Sequence, residues 1–206
     1  MFRAIIVECG SLLPLFKSAS AACALQGKRY LTHWHHSPLH VFIPGMIYMV
    51  TASTLHKEHF FEGDDRLTLL QEALFASAES YKWELQAWSI FSNHYHFISK
   101  APDEDASLKQ IIQRLHSFTA REINHTDNTP GRQVWFQYWD TCITYEKSYY
   151  PRLNYVHNNP IKHGVVPDAR LYPYCSASWF ESKAEPSLLK KVGSFRYDRI
   201  TIPDDY

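Results

Sequence analysis

Two residue pairs in this 206-residue chain are spaced for joint chemistry: His94 and His96, and Tyr155 and Asn159. In a β-strand, residues i and i+2 face the same side, so the imidazoles of His94 and His96 project together. That spacing suits two ligands of one divalent ion, a common role for neutral imidazole. Tyr95 and Phe97 then point the other way, towards the core. With 12 histidines in the chain, a chance HxH pair is unremarkable, and His33-Trp34-His35 is a second one. That pair sits in a stretch without periodicity, whereas His94 and His96 follow a turn within a strand pattern. Context favours the latter.

Tyr155 and Asn159 are four apart, so on a helix they share a face and a phenol and a carboxamide reach one point. A phenol, with a pKa near 10, is a poor nucleophile at neutral pH. It needs a polarised electrophile, such as a phosphate bound to a metal. The plain alternative is that Tyr155 packs against a sheet and Asn159 ends a helix before Pro160. Around them, Arg152, His157, Lys162 and His163 are suited to phosphate contacts, or to a solvated helix end.

Elements that could position these groups follow from pattern. Pro44-Gly45 precedes a β-prone stretch over 46–53. Asp64 or Asp65 can cap a helix with apolar positions Leu67, Leu70, Leu74 and Tyr81. Residues 83–91 and 94–99 read as two strands joined by a turn at Ser92-Asn93. Ser107 is placed to cap a helix with Leu108, Ile111, Ile112, Leu115 and Phe118 on one face. A fourth strand is expected over 134–144, then a short helix within 146–159 that Pro160 stops. The order strand, helix, strand, strand, helix, strand predicts an α+β fold, the ferredoxin-like split βαβ arrangement with an antiparallel sheet. Its helices cover one face and leave the other free for a site. Residues 1–40 read as an N-terminal extension outside this domain, 41–180 as the domain and 181–206 as a C-terminal tail.

Composition sets bounds. Apolar residues make up 45% and charged residues 20%, with 7 glycines, as in an ordinary soluble domain. The net charge of 0 argues against a protein that coats nucleic acid. Residues 55–106 hold 4 basic and 10 acidic side chains, and residues 107–170 hold 8 basic and 5 acidic, so any DNA contact is expected in the second half. Cys9, Cys23, Cys142 and Cys175 form no CxxC pair, which fits a reducing cytoplasm. Glu8, Gly10, Pro14 and Lys17 interrupt the early apolar run, against a signal peptide. No stretch is apolar enough to span a membrane.

In this order, the segments resemble the REP-associated branch of the single-tyrosine HUH transposases. "PGMIYMVTAST" resembles that family's first strand and "FFEGDDRLTLL" the entry to its first helix. "SNHYHFI" resembles its metal-binding strand. "VWFQYWDTCIT" resembles the strand before the nucleophile, "RLNYVHNNPIKHGVV" the nucleophile helix and "YPYCSASWF" a downstream segment. The resemblance spans about residues 44–180. It implies that His94, His96 and Asn159 hold Mg²⁺ or Mn²⁺ and that Tyr155 is the nucleophile. It also implies cutting and rejoining of single-stranded DNA beside palindromic hairpins through a 5′-phosphotyrosine link. No nucleotide cofactor is then needed, and a monomer or homodimer would serve. A hairpin-binding module that does not cut, and a metal-dependent phosphodiesterase using water, are the alternatives. Pro151, four residues before Tyr155, and the extension over 1–40 depart from the family pattern.

Overall fold

The computed structural model of the protein describes residues 42–103, 108–197 and 200; the extension over 1–40 and the cap expected of Ser107 lie outside them. β1 (Ile47–Thr54) leads through a 3-10 turn at Leu55–Lys57 to α1 (Asp64–Ser80), β2 (Glu84–Ile90) and β3 (His94–Lys100). Then come α2 (Leu108–Thr126), β4 (Trp135–Ile143) and α3 (Glu146–Lys162). A 3-10 turn at Ala169–Leu171 precedes α4 (Ala177–Lys183) and α5 (Pro186–Gly193). The strands form one antiparallel sheet in the order β2-β3-β1-β4, the expected split βαβ topology.

The strand period sorts the side chains between two faces. Tyr48, Val50 and Ala52 of β1 and Tyr95 and Phe97 of β3 share a core with Leu70 and Leu74 of α1 and Ile111, Ile112 and Leu115 of α2. Phe118, expected on that buried stripe, is exposed. On the opposite face, Met49, Ile98 and Ile143 pack with Tyr149, Leu153 and Val156 of α3. The sequence reading left this second face open; α3 covers it. The cause is apolar area, since each such side chain left in water would forfeit roughly 1.5–3 kcal/mol. The candidate site is therefore sandwiched between sheet and helix.

Two helix ends differ from expectation. Gly63, not an aspartate, occupies the N-cap of α1, and Asp64 and Asp65 lie in its first turn, where they complement the helix dipole. Pro160 does not stop α3, which runs 17 residues to Lys162 with Pro151 and Pro160 inside it. A proline at 160 costs the carbonyl of Val156 its helical donor. The thiol of Cys175 lies 3.8 Å from that oxygen and 3.4 Å from the carbonyl of His157. The helix ends instead at Gly164, with φ +66. Gly164 N–H donates to Ile161 and Val165 N–H to Pro160, both at 2.9 Å, the paired bonds of a Schellman stop.

Beyond residue 180 the chain braces α3. Val192 of α5 is buried with Tyr149 and Tyr150. The Lys191 ammonium pairs with Glu146 in the first turn of α3, and Asn154 donates to the Phe195 carbonyl at 2.7 Å.

Two buried histidines outside the cluster of His94, His96 and His163 make the fold acid-sensitive. His116 stacks on Trp135 at 4.3 Å and meets the Tyr95 hydroxyl at 2.8 Å. His157 packs against Phe180. Burial pushes both down to about 3. A folded-state value below the unfolded one means that stability is intact above about pH 6.5 and falls as pH drops towards 3. Between pH 7.5 and 5.0 each should cost roughly 2 kcal/mol. Urea unfolding with chelator present should show that loss; equal midpoints at the two pH values would contradict it.

Candidate metal and nucleophile site

β3 supplies His94 and His96, both buried, and the register sets His96 opposite Thr51 of β1. The Thr51 hydroxyl lies 2.8 Å from His96 Nδ1. His94 Nδ1 lies 2.6 Å from Oδ1 of Asn93. The Asn93 amide is oriented by its other end, where Nδ2 donates to the Lys57 carbonyl at 3.2 Å. The oxygen therefore faces the imidazole, Nδ1 of His94 carries the proton, and Nε2 is the unprotonated nitrogen, the form that ligates a metal. Lys57 and His56 adopt left-handed φ of +59 and +54, which is costly for non-glycine residues. Behind His94, Phe91 stacks at 4.5 Å and Tyr172 stacks on Phe91 at 5.6 Å, with the Tyr172 hydroxyl donating to the Ile90 carbonyl at 2.8 Å.

α3 supplies the facing residues. Tyr155 and Asn159 are both fully buried, one turn apart. The Tyr155 ring meets His96 edge-on at 5.5 Å. The Lys162 ammonium donates to the Tyr155 hydroxyl at 3.2 Å and lies 4.8 Å from its ring centre. Both polar atoms of the Asn159 carboxamide are buried without completing a hydrogen bond. Burial holds His94 well below the ordinary imidazole value, with His96, His163 and Lys162 adding to the shift and the Asn159 carboxamide opposing it. Burial also holds His96 down at about 3 and lowers His163. Burial thus biases all three imidazoles towards the neutral form, the one that ligates a metal.

The residues fit a divalent ion. The ligating nitrogens of His94, His96 and His163 lie within 4.8 Å of one another. A buried carboxamide lacking hydrogen bonds stands beside them, and such a group otherwise costs about 1–3 kcal/mol.

The remaining sequence candidates separate. Lys162 and His163 belong to the cluster and are its more exposed members. Arg152 is half-buried with its guanidinium engaged by the carbonyl and hydroxyl of Ser148. His157 is sealed against Phe180, so its ring offers no surface to a phosphate. Sequence reasoning did not place His163 beside His94 and His96, nor did it assign Asn93 and Thr51 any part. His163 had a signal: it lies four residues past Asn159, continuing the Tyr155–Asn159 row.

Residues 43–159 match the family described as "Transposase IS200 like". A protein of Haemophilus influenzae named as a REP-associated tyrosine transposase is 26% identical over 121 residues, 54% of this chain and 69% of that protein. The REP-associated tyrosine transposase of Escherichia coli K12 is 22% identical over 107 residues, 52% of this chain and 61% of that protein, under two thirds of its length. A REP-associated tyrosine transposase solved bound to a REP hairpin superposes with a TM-score of 0.61 at 17% identity, over 84% of this chain and 95% of that one. That likeness speaks for the fold. Among the described residues no helix is long and apolar enough to cross a membrane. The family match covers more than half of the chain, including both histidines of β3, Tyr155 and Asn159, and on that ground the chain belongs to the IS200-like transposase family, whose members cut DNA.

Proposed function

We propose that this transposase cuts and rejoins single-stranded DNA beside a palindromic hairpin, with Tyr155 as nucleophile and His94, His96 and Asn159 as ligands of a divalent ion, Mg²⁺ or Mn²⁺. The observation that carries the reading is the meeting of Tyr155, Asn159 and the two β3 histidines in one buried cluster between sheet and α3. A bound ion would supply polarisation of the scissile phosphate. The chain's own residues do the rest. Lys162, at hydrogen-bond distance from the phenol oxygen, favours that oxygen once its proton has passed to solvent water. The oxygen attacks phosphorus, forming the Tyr155–phosphate bond at a 5′ end. The bond from phosphorus to the 3′ oxygen breaks, and that oxygen takes up a proton as a free hydroxyl. The reverse attack by a 3′-hydroxyl reseals the strand and frees Tyr155, so no external energy source enters.

The hairpin partner rests on the relative solved with a REP hairpin. A net charge of 0 also disfavours bulk duplex binding, which depends on Lys and Arg. The test is incubation with a panel of hairpins carrying single-stranded flanks and Mn²⁺, followed by denaturing gels. A covalent adduct on a flanked hairpin is expected, with tighter binding to it than to a matched duplex. Equal affinity for both at moderate salt, with no adduct on any hairpin, would remove the proposal.

A further inference from the structure

We propose that His163 is a fourth ligand of this metal centre and that the resulting three-imidazole set selects a transition ion such as Mn²⁺ or Co²⁺ over Mg²⁺. The inference rests on the metal reading of His94, His96 and Asn159 and deepens it. Its first ground is geometric. The ligating nitrogens of His94, His96 and His163 lie within 4.8 Å of one another. Three nitrogens bound to one ion at about 2.1 Å lie roughly 3–3.6 Å apart, so side-chain adjustments of about 1–2 Å close the set. The His163 ring is already packed in place, 5.0 Å from His94 and 5.2 Å from Phe91, edge-on to each.

The second ground is how α3 delivers it. Tyr155, Asn159 and His163 are successive members of one i, i+4 row. The row survives its last step because α3 continues through Pro160, and His163, at the C-cap, keeps φ −86 and ψ 4. The Schellman bonds at Gly164 fix that turn. Had the helix stopped at Pro160, His163 would hang outside the site.

The third ground is donor chemistry. The cluster found among the described residues is three histidines with no carboxylate. Mg²⁺ is small and hard and is held through oxygen, usually carboxylate or phosphate. Neutral imidazoles favour first-row transition ions, with affinity rising from Mn²⁺ to Co²⁺. Asn159 offers a single carboxamide oxygen. The set therefore favours transition ions before DNA contributes any phosphate oxygen.

The full-length chain, stripped by chelation, is titrated with Co²⁺ followed by visible absorption, and with Mn²⁺ and Mg²⁺ by calorimetry, without DNA. Binding of Co²⁺ and Mn²⁺ at least about 100-fold tighter than Mg²⁺ is expected. His163→Ala and the bulkier His163→Gln should each weaken Co²⁺ binding by more than about tenfold and change the Co²⁺ spectrum, because a ligand matters at least as much as an outer-shell partner. Circular dichroism checks that each variant is folded; His163 lies at the partly exposed C-terminal end of α3. Unchanged Co²⁺ affinity and spectrum in either folded variant would overturn the ligand role, as would equal affinity of the native chain for Mg²⁺ and Mn²⁺. Failure of the underlying reading has a different mark: His96→Ala would then leave Co²⁺ binding intact.

Discussion

Tyr155→Phe should bind flanked hairpin DNA as the native protein does, yet form no covalent adduct and cut at least about 10⁴-fold more slowly. The substitution removes one oxygen and keeps the ring, which is fully buried and packs edge-on against His96 at 5.5 Å. The loss to the fold is one hydrogen bond from Lys162, worth about 0.5–1.5 kcal/mol. On the proposed function, the loss to the chemistry is the attacking atom. The two tyrosines before it on α3 are engaged elsewhere. Tyr149 packs on Tyr150 at 5.3 Å, and the Tyr150 hydroxyl lies 3.3 Å from the Lys191 ammonium of α5. Gel assays separate three outcomes. Persistence of the adduct would move the nucleophile to another tyrosine. Cleavage without an adduct would favour water and the phosphodiesterase reading. Loss of both with binding retained is the expected result.

The parts of this site that local pattern dictates were legible in the sequence. Strand alternation alone put His94 and His96 on one face and Tyr95 and Phe97 on the other, because the pleat allows no other arrangement. Helical spacing put Tyr155 and Asn159 together for the same kind of reason. What was not legible depends on partners distant in the chain. Pro160 reads as a helix stop because its missing N–H orphans a carbonyl, and nothing local announces that Cys175, 19 residues from Val156, lies beside it. Ending the helix early hid His163, although Gly164 was the true stop and is a common residue for one. Asn93 reads as a turn residue; its hold on His94 depends on the Lys57 carbonyl, 36 residues away and presented by left-handed backbone. A split βαβ unit does not include α3, so the extent to which α3 covers the second sheet face is foreshadowed only by the apolar character of Met49, Ile98 and Ile143.

His96→Ala should abolish metal-dependent cutting, while His33→Ala and His35→Ala should cut at close to the native rate. His96 is fully buried, its Nδ1 is held by Thr51 at 2.8 Å, and its ring contacts both His94 and Tyr155. On the proposed function, removing the ring deletes a ligand; it also leaves a gap under Tyr155, so some stability is lost as well, on the scale of about 2 kcal/mol or more for a large-to-small core change. Activity alone would not separate the two effects. Thermal unfolding with and without Mn²⁺ does. An ion that binds only the folded native chain stabilises it by about 2.7 kcal/mol at 100 times its dissociation constant. That increment should be present in the His33 and His35 variants and missing in His96→Ala. His96→Gln, which fills more of the gap, should recover stability without recovering the metal increment. The resulting pattern is specific: a native-like metal response tracks the β3 pair and ignores the N-terminal one. Cutting at the native rate by His96→Ala, or a Mn²⁺ stabilisation that it keeps in full, would place the metal elsewhere and leave Tyr155 without its activated phosphate.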